Sequence, residues 1–364
     1  KEKAGKVTEQ LFLFNTLLSV GIMVLLLACQ QFILTVVFGS ITPEVMSDAS
    51  IYLRITAYSI PFIAIYNTGA AVYRAMSNSK VPMQISFLMN FINVAGNAIM
   101  IYGMESGVEG AAIPTLISRV VAAIVVTTLL FNPKLDVHMK KDSSWKLDFQ
   151  IIHKICIIGI PNGLENSLFQ LGKILVLSMV AGFGTIAIAA NAVSNNIALF
   201  QILPGVSINF AMLTVVSHCM GSRAIEEAKY YTKLLMKYAY IGMILCSGVV
   251  ILCLPLILNI YHLSPETASI TKNILIYHGI CCMFIWAPSF TLPNALRAAG
   301  DAVYPMVISM ISMWMCRILF SYILGVTLEM GVFGIWVAMT IDWAVRSVFL
   351  VIRYQRGKWQ KIVL

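Results

Sequence analysis

Residues 74–83 read RAMSNSKVPM, and residues 297–306 read RAAGDAVYPM. Both begin with Arg-Ala and close with Pro-Met in the same register, 223 positions apart. Long apolar runs flank each stretch, so each reads as a short polar turn between two helices. The match extends in both directions. Thr42-Pro43-Glu44 pairs with Ser264-Pro265-Glu266, Ile85-Ser86 with Ile308-Ser309, and Gly107-Val108-Glu109-Gly110 with Gly331-Val332-Phe333-Gly334. The chain therefore holds two copies of one unit, and such a repeat decides the architecture.

The composition places those copies in a membrane. Of 364 residues, 59% are hydrophobic and 11% charged, with a mean hydropathy of +0.85; a soluble domain carries about 25% charged residues. Ten segments have the ~20 apolar residues that a crossing helix needs: 11–38, 50–73, 82–103, 110–131, 154–180, 185–216, 234–260, 268–296, 304–325 and 331–352. They are too long and too uniformly apolar for barrel strands. The expected fold is an all-α integral membrane protein with ten transmembrane helices. It comprises an N-lobe over 1–132, an inter-lobe linker over 133–153 and a C-lobe over 154–364. Two helices within 150–222 precede the second copy and have no counterpart upstream of Lys1. The expected unit is thus six helices, twelve in all, with the first copy lacking its first two. An even number per unit makes the copies parallel repeats.

The formal charge of +9 is explained by topology. Of 25 Lys and Arg, 18 fall at the termini or in alternate loops, from Lys1, Lys3 and Lys6 through Lys140, Lys141 and Lys146 to Lys361. The intervening loops hold acids such as Glu44, Glu105 and Glu329. The positive-inside rule then puts both termini and the linker in the cytoplasm, and no nucleic-acid partner is expected. The eight Cys lie within apolar segments without metal-ligand spacing, so they read as buried thiols. No catalytic triad, phosphate loop or metal motif occurs. The chain is not expected to be an enzyme or to carry a cofactor.

Two carboxylates fall deep in apolar segments, Glu165 and Asp342. Each lies about 11 residues, or ~16 Å, into its helix. A carboxylate there costs about 2.5–3.5 kcal/mol, so it persists when paired or when it binds something. Asp342 has Arg346 four residues on, on the same face, and reads as a structural ion pair or a second site. Glu165 has no basic residue at helical spacing. Lys173 is eight residues on, and Asn162 and Asn166 flank the acid beside Pro161. Glu165 is therefore the first candidate for a cation site, with Na⁺ as the expected metal. Asn191, Ser194 and Asn195 share one helix face, as do Asn90, Asn93 and Asn97; both sets read as binding residues or as interhelical hydrogen bonding. Arg119 and Arg317 are deep, with an acid or a backbone carbonyl as expected partner. His278 reads as structural. Pro61, Pro161, Pro204, Pro288 and Pro293 are expected to break their helices.

With these residues named, the chain resembles the multidrug and toxic compound extrusion (MATE) family. The resemblance rests on the twin RA…PM turns, GIPNGLENSLFQLGK at 159–173, AANAVSNN at 189–196 and GIWVAMTIDWAVR at 334–346. It implies helices three to twelve of a two-lobed transporter with alternating access. It also implies export of organic, mainly cationic, compounds by antiport with Na⁺ or H⁺ across the plasma membrane, by a monomer in contact with lipid. The resemblance puts Glu165 at the coupling acid of the seventh helix. Residues 279–296 contain no Asp or Glu, where some members carry a further acid. A lipid-linked saccharide or lipid flippase is the alternative, which Lys173, Arg119 and Arg317 keep open.

Overall fold

The computed structural model describes residues 2–38, 43–140 and 146–361. Lys1, Thr42 and Lys141 lie outside the described residues. Among the described residues every regular element is helical. Among the described residues, nine helices are long and apolar enough to cross a membrane, and a bent pair makes ten if it is one span. The chain divides into two compact units, Lys1–Ile155 and Cys156–Leu364.

The first unit contains α1 (Glu2–Ala28), α2 (Gln30–Phe38), α3 (Pro43–Tyr58), α4 (Ile60–Ala75), α5 (Lys80–Ala98) and α6 (Gly107–Leu130). The expected span 11–38 is divided at Cys29, and the expected span 50–73 starts at Pro43 and bends by 40° at Ser59. The bend lies two residues before Pro61, which has no N–H to continue the helical ladder. Arg119 of α6 reaches into it and donates from Nη1 to Ser59 Oγ at 2.6 Å, so its partner is a hydroxyl, not the expected acid or carbonyl. Asn93 donates to Thr115 Oγ1 at 2.8 Å and ties α5 to α6. Tyr66, Ala70, Val126 and Leu130 form the centre of the apolar core.

The linker ends earlier than the sequence suggested, because α7 (Phe149–Ala181) begins at Phe149. Asp148 caps it: Oδ1 accepts from the backbone N–H of Gln150 at 3.1 Å and of Ile151 at 3.4 Å, two groups that a helix start leaves unpaired. The linker is also tied to the first turns of α1. Gln10 donates to the Lys146 carbonyl at 2.7 Å and accepts from the Asp148 N–H at 2.8 Å. The Lys6 ammonium, 3.3 Å away, holds the Asp148 carboxyl below the usual carboxylate range.

The second unit continues with α8 (Thr185–Gly221), α9 (Ile225–Leu252), α10 (Leu254–Ile260), α11 (Pro265–Cys281), α12 (Leu292–Ala298), α13 (Val303–Ser312), α14 (Leu319–Tyr322) and α15 (Gly331–Gln355). Wide π turns over Cys282–Thr291, Met313–Ile318 and Ile323–Thr327 join neighbouring helices. Pro161 and Pro204 lie inside continuous α7 and α8, which corrects the expected breaks. Pro288 falls in a π turn, and Pro293 starts α12, where its missing N–H is not needed. The core surrounds His278, which meets Gln201 Oε1 at 2.6 Å and the edges of Trp336 and Trp343.

The two copies share their turns bond for bond. Ser77 and Gly300, at the same motif position, both have left-handed backbone, with φ of 58° and 87°. The Asn78 N–H reaches the Tyr73 carbonyl and the Asp301 N–H the Leu296 carbonyl, both at 2.9 Å. This is the six-to-one closure of a Schellman helix end. Glu105 and Glu329 repeat the pattern at φ of 50° and 53°, each after a π turn, Ile99–Gly103 in one copy and Ile323–Thr327 in the other.

The register between copies drifts. Pro43 and Pro265 are 222 positions apart, Arg74 and Arg297 are 223, and Gly107 and Gly331 are 224. The second copy therefore gains one residue in each interval. Each interval also contains a π stretch that the first copy lacks, at Cys282–Thr291 and at Met313–Ile318. A π turn bonds residue i to i+5 and holds one residue more than an α turn. It absorbs the extra residue locally, and the flanking turns keep their faces.

Gly110 and Gly334 mark where the following helix crosses its predecessor. A Cβ on Gly334 would lie 2.8 Å from the Leu324 carbonyl carbon, and one on Gly110 would lie 3.2 Å from that of Met100. Backbone cannot move aside as a side chain can. We expect Gly334→Ala to cost about 1–3 kcal/mol and Gly110→Ala less, measured by thermal unfolding of the detergent-solubilised protein.

Candidate functional site

Among the described residues of the second unit, two polar cavities both take lining from α7. One of about 380 Å³ is lined by Asn162, Glu165, Asn209, Ser289, Asn294 and Arg297, among others. The second, of about 210 Å³, is lined by Lys173, Asn191, Asn195, Arg317 and Trp336, among others. The sequence grouped Glu165, Asn162, Lys173, Asn191 and Asn195 as one site. The structure divides them, Asn162 and Glu165 in the larger cavity and the remaining three in the smaller. The eight residues between Glu165 and Lys173 advance the helix by ~12 Å, and each side chain finds a nearer partner.

Glu165 is not unpaired, which corrects the sequence reading. Arg297 Nη2 donates to its Oε2 at 2.5 Å, and the side chains are only 14% and 12% exposed for Arg297 and Glu165. Arg297 is in the last turn of α12, and its Nη1 also donates to Asn294 Oδ1 at 3.1 Å. Helical spacing could not reveal a partner 132 residues away, and the twin motif made Arg297 read as a loop cation. Asn209 Oδ1 and Ser289 Oγ are buried beside this cavity without a hydrogen-bond partner. With Glu165 they make an oxygen-rich wall, the donor type that a hard cation such as Na⁺ prefers.

Lys173 does not bridge to Glu165. Its Nζ lies 5.1 Å from the centre of the Phe169 ring, one turn back on the same face of α7. Arg317 lies 5.4 Å from that ring and Arg346 5.7 Å. Asn191 accepts from Trp336 Nε1 at 3.0 Å, and Asn195 donates to the Asn191 carbonyl at 2.8 Å. Phe169 and Trp336 lie inside the stretches 159–173 and 334–346, but as aromatic residues in apolar helices nothing set them, or Asn294, apart from ordinary core.

Asp342 and Arg346 meet within α15. Arg346 Nη2 is 3.2 Å from Asp342 Oδ2, and the side chains are 3% and 0% exposed. Ser312 donates to the carboxylate and to the Asp342 carbonyl, the latter at 3.0 Å. The Arg346 guanidinium also covers the Phe290 ring at 4.9 Å. The Asp342 carboxylate is fully buried and engaged by Arg346 and Ser312, whereas Arg346 also lines the larger cavity and its Nε has no hydrogen-bond partner.

Long apolar helices with ion pairs and polar cavities among them define a multi-pass integral membrane protein. The fold agrees with solved transporters. It matches an outward-facing multidrug resistance MATE-family transporter of the MOP superfamily with a TM-score of 0.90 at 19% identity, covering 100% of this chain and 81% of that one. It matches a MOP-superfamily transporter from Pyrococcus furiosus, described as having a binding pocket of reverse polarity, with a TM-score of 0.89 at 18% identity, over 99% and 80%. In sequence, the chain is 26% identical to a probable multidrug resistance protein NorM of Thermotoga maritima, covering 89% of this chain and 70% of the relative. It is equally identical to the uncharacterized transporter YisQ of Bacillus subtilis, over 88% and 70%. The chain belongs to the MatE family, whose pattern covers residues 1–99 and 161–323.

Removing either partner of the Asp342–Arg346 pair strands a charge in low dielectric, which costs about 3–5 kcal/mol. We expect Asp342→Asn and Arg346→Met each to lower the monodisperse yield on size-exclusion chromatography, and the double variant to recover much of it.

Proposed function

We propose that this protein exports organic compounds, mainly cationic ones, across the plasma membrane in exchange for Na⁺ or H⁺, with both termini in the cytoplasm. The reading rests on membership of the MatE family. The observation that carries the site is the Glu165–Arg297 pair facing a cavity that also holds the unpartnered oxygens of Asn209 and Ser289. Arg297 cancels the carboxylate while nothing else does. An entering Na⁺ would draw on Glu165, Asn209 and Ser289 and displace the guanidinium, and an entering proton would neutralise Glu165 directly. An organic cation would compete for the same carboxylate. Occupancy by one then disfavours the other, and this reciprocal coupling is what antiport requires. The charge makes this possible because desolvation keeps an uncancelled carboxylate unfavourable.

The test is efflux of a cationic dye from membrane vesicles under an imposed Na⁺ or proton gradient. We expect Glu165→Gln to reduce coupled efflux at least tenfold at normal membrane yield, because Gln keeps the shape and removes the charge. A purely structural pair predicts instead that Glu165→Gln lowers yield and that adding Arg297→Gln restores it. Wild-type efflux with unchanged cation dependence in the Gln variant removes Glu165 from the mechanism.

A further inference from the structure

The smaller cavity differs from the larger in lacking a carboxylate. Its charged lining groups are Lys173 and Arg317. Arg317 is only 8% exposed, and its Nε is buried without a hydrogen-bond partner. Neither cation has a salt-bridge partner among the described residues; both rest against the Phe169 ring. The nearby acid, Asp342, is already engaged by Arg346 and Ser312. Around Phe169, three cations (Lys173, Arg317 and Arg346) therefore face one carboxylate, leaving an excess of two positive charges. Charges placed at depth without partners mark binding sites more often than packing.

Comparison of the two copies shows that the shared fold does not require Arg317, Asp342 or Arg346. Arg317 lies in the π stretch Met313–Ile318 that the first copy lacks. By the register after that stretch its counterpart is Asn93, a neutral residue already bonded to Thr115. The counterparts of Asp342 and Arg346 are Ser118 and Ala122. The inserted residue and the charges come together only in the second copy, and single π bulges recur at functional sites.

We propose that the cavity between Lys173 and Arg317 binds an oxyanion, the carboxylate or phosphate group of a solute or of a lipid. A guanidinium offers paired N–H donors that suit such a group, and an ammonium adds a point charge. Asn191, Asn195 and Trp336 line the rest of the site, and an aromatic face suits the apolar part of an amphiphile. The volume of about 210 Å³ is below the roughly 300–1,000 Å³ of pockets for drug-sized ligands. The occupant is thus a small anion or the charged head of a larger molecule.

The experiment is isothermal titration of the purified protein in non-ionic detergent, with ionic strength held constant by KCl. The probes are inorganic phosphate, benzoate and short-chain phosphatidate below its micellar concentration. We expect saturable binding of at least one probe, weakened at least tenfold in Lys173→Met and in Arg317→Met. Binding of phosphatidate alone identifies a lipid head group, and binding of benzoate or phosphate identifies a soluble anion; either supports the site. Lys173 is exposed, so Lys173→Met keeps the proposal testable if Arg317→Met fails to fold. No saturable binding of any probe, or unchanged affinity in Lys173→Met, overturns it. The readout is binding without transport, so it stands or falls apart from the efflux assay.

Discussion

A carboxylate enclosed by apolar helices must be cancelled, and the second unit does so in two different ways. Asp342 is cancelled by a residue of its own helix, with the serine of another completing its shell. Glu165 is cancelled across helices, by an arginine at the end of α12, beside open volume and two oxygens that lack partners. The first is nearly fully buried, and its carboxylate lies away from the cavity that Arg346 lines. The second leaves room for a competitor. Burial and pairing alone do not separate a structural ion pair from an exchangeable one; access and spare ligands do.

The repeated turn has a direct part in this. Arg297 can meet Glu165 only if the last turn of α12 ends where it does. Gly300 closes that end in left-handed backbone, and Asp301 is held by Arg353 of α15 at 2.8 Å. The Arg353 guanidinium in turn covers the Tyr304 ring at 4.6 Å. The motif that reveals the duplication thus also fixes the position of the cation that the acid needs.

Much of this architecture was legible in the residues. Long apolar runs, alternate basic loops and the twin motif suffice for an all-helical membrane protein with a repeated unit, because hydrocarbon allows little else. The Asp342–Arg346 spacing was readable for the same reason that any contact four residues apart is. The Glu165–Arg297 contact was not, because it depends on how α12 packs against α7. The three cations around Phe169 come from α7, the π stretch after α13, and α15, and only tertiary packing brings them to one ring. The start of α7 was missed because Asp148 sits in a charged linker, where its capping role has no periodic signal.

The π turns of the second copy act as shims. Each takes up one residue between two turns that must keep their partners, so a change in length is confined to a stretch of 10 residues in one case and 6 in the other. Inserted into an ordinary α-helix, the same residue would swing everything beyond it by about 100° and turn an inward face toward lipid. Duplicated halves of such a protein can therefore diverge in length without losing their joints. The polar turns at 76–79 and 299–302, which keep one geometry in both copies, are the natural splice points for building chimeras between lobes.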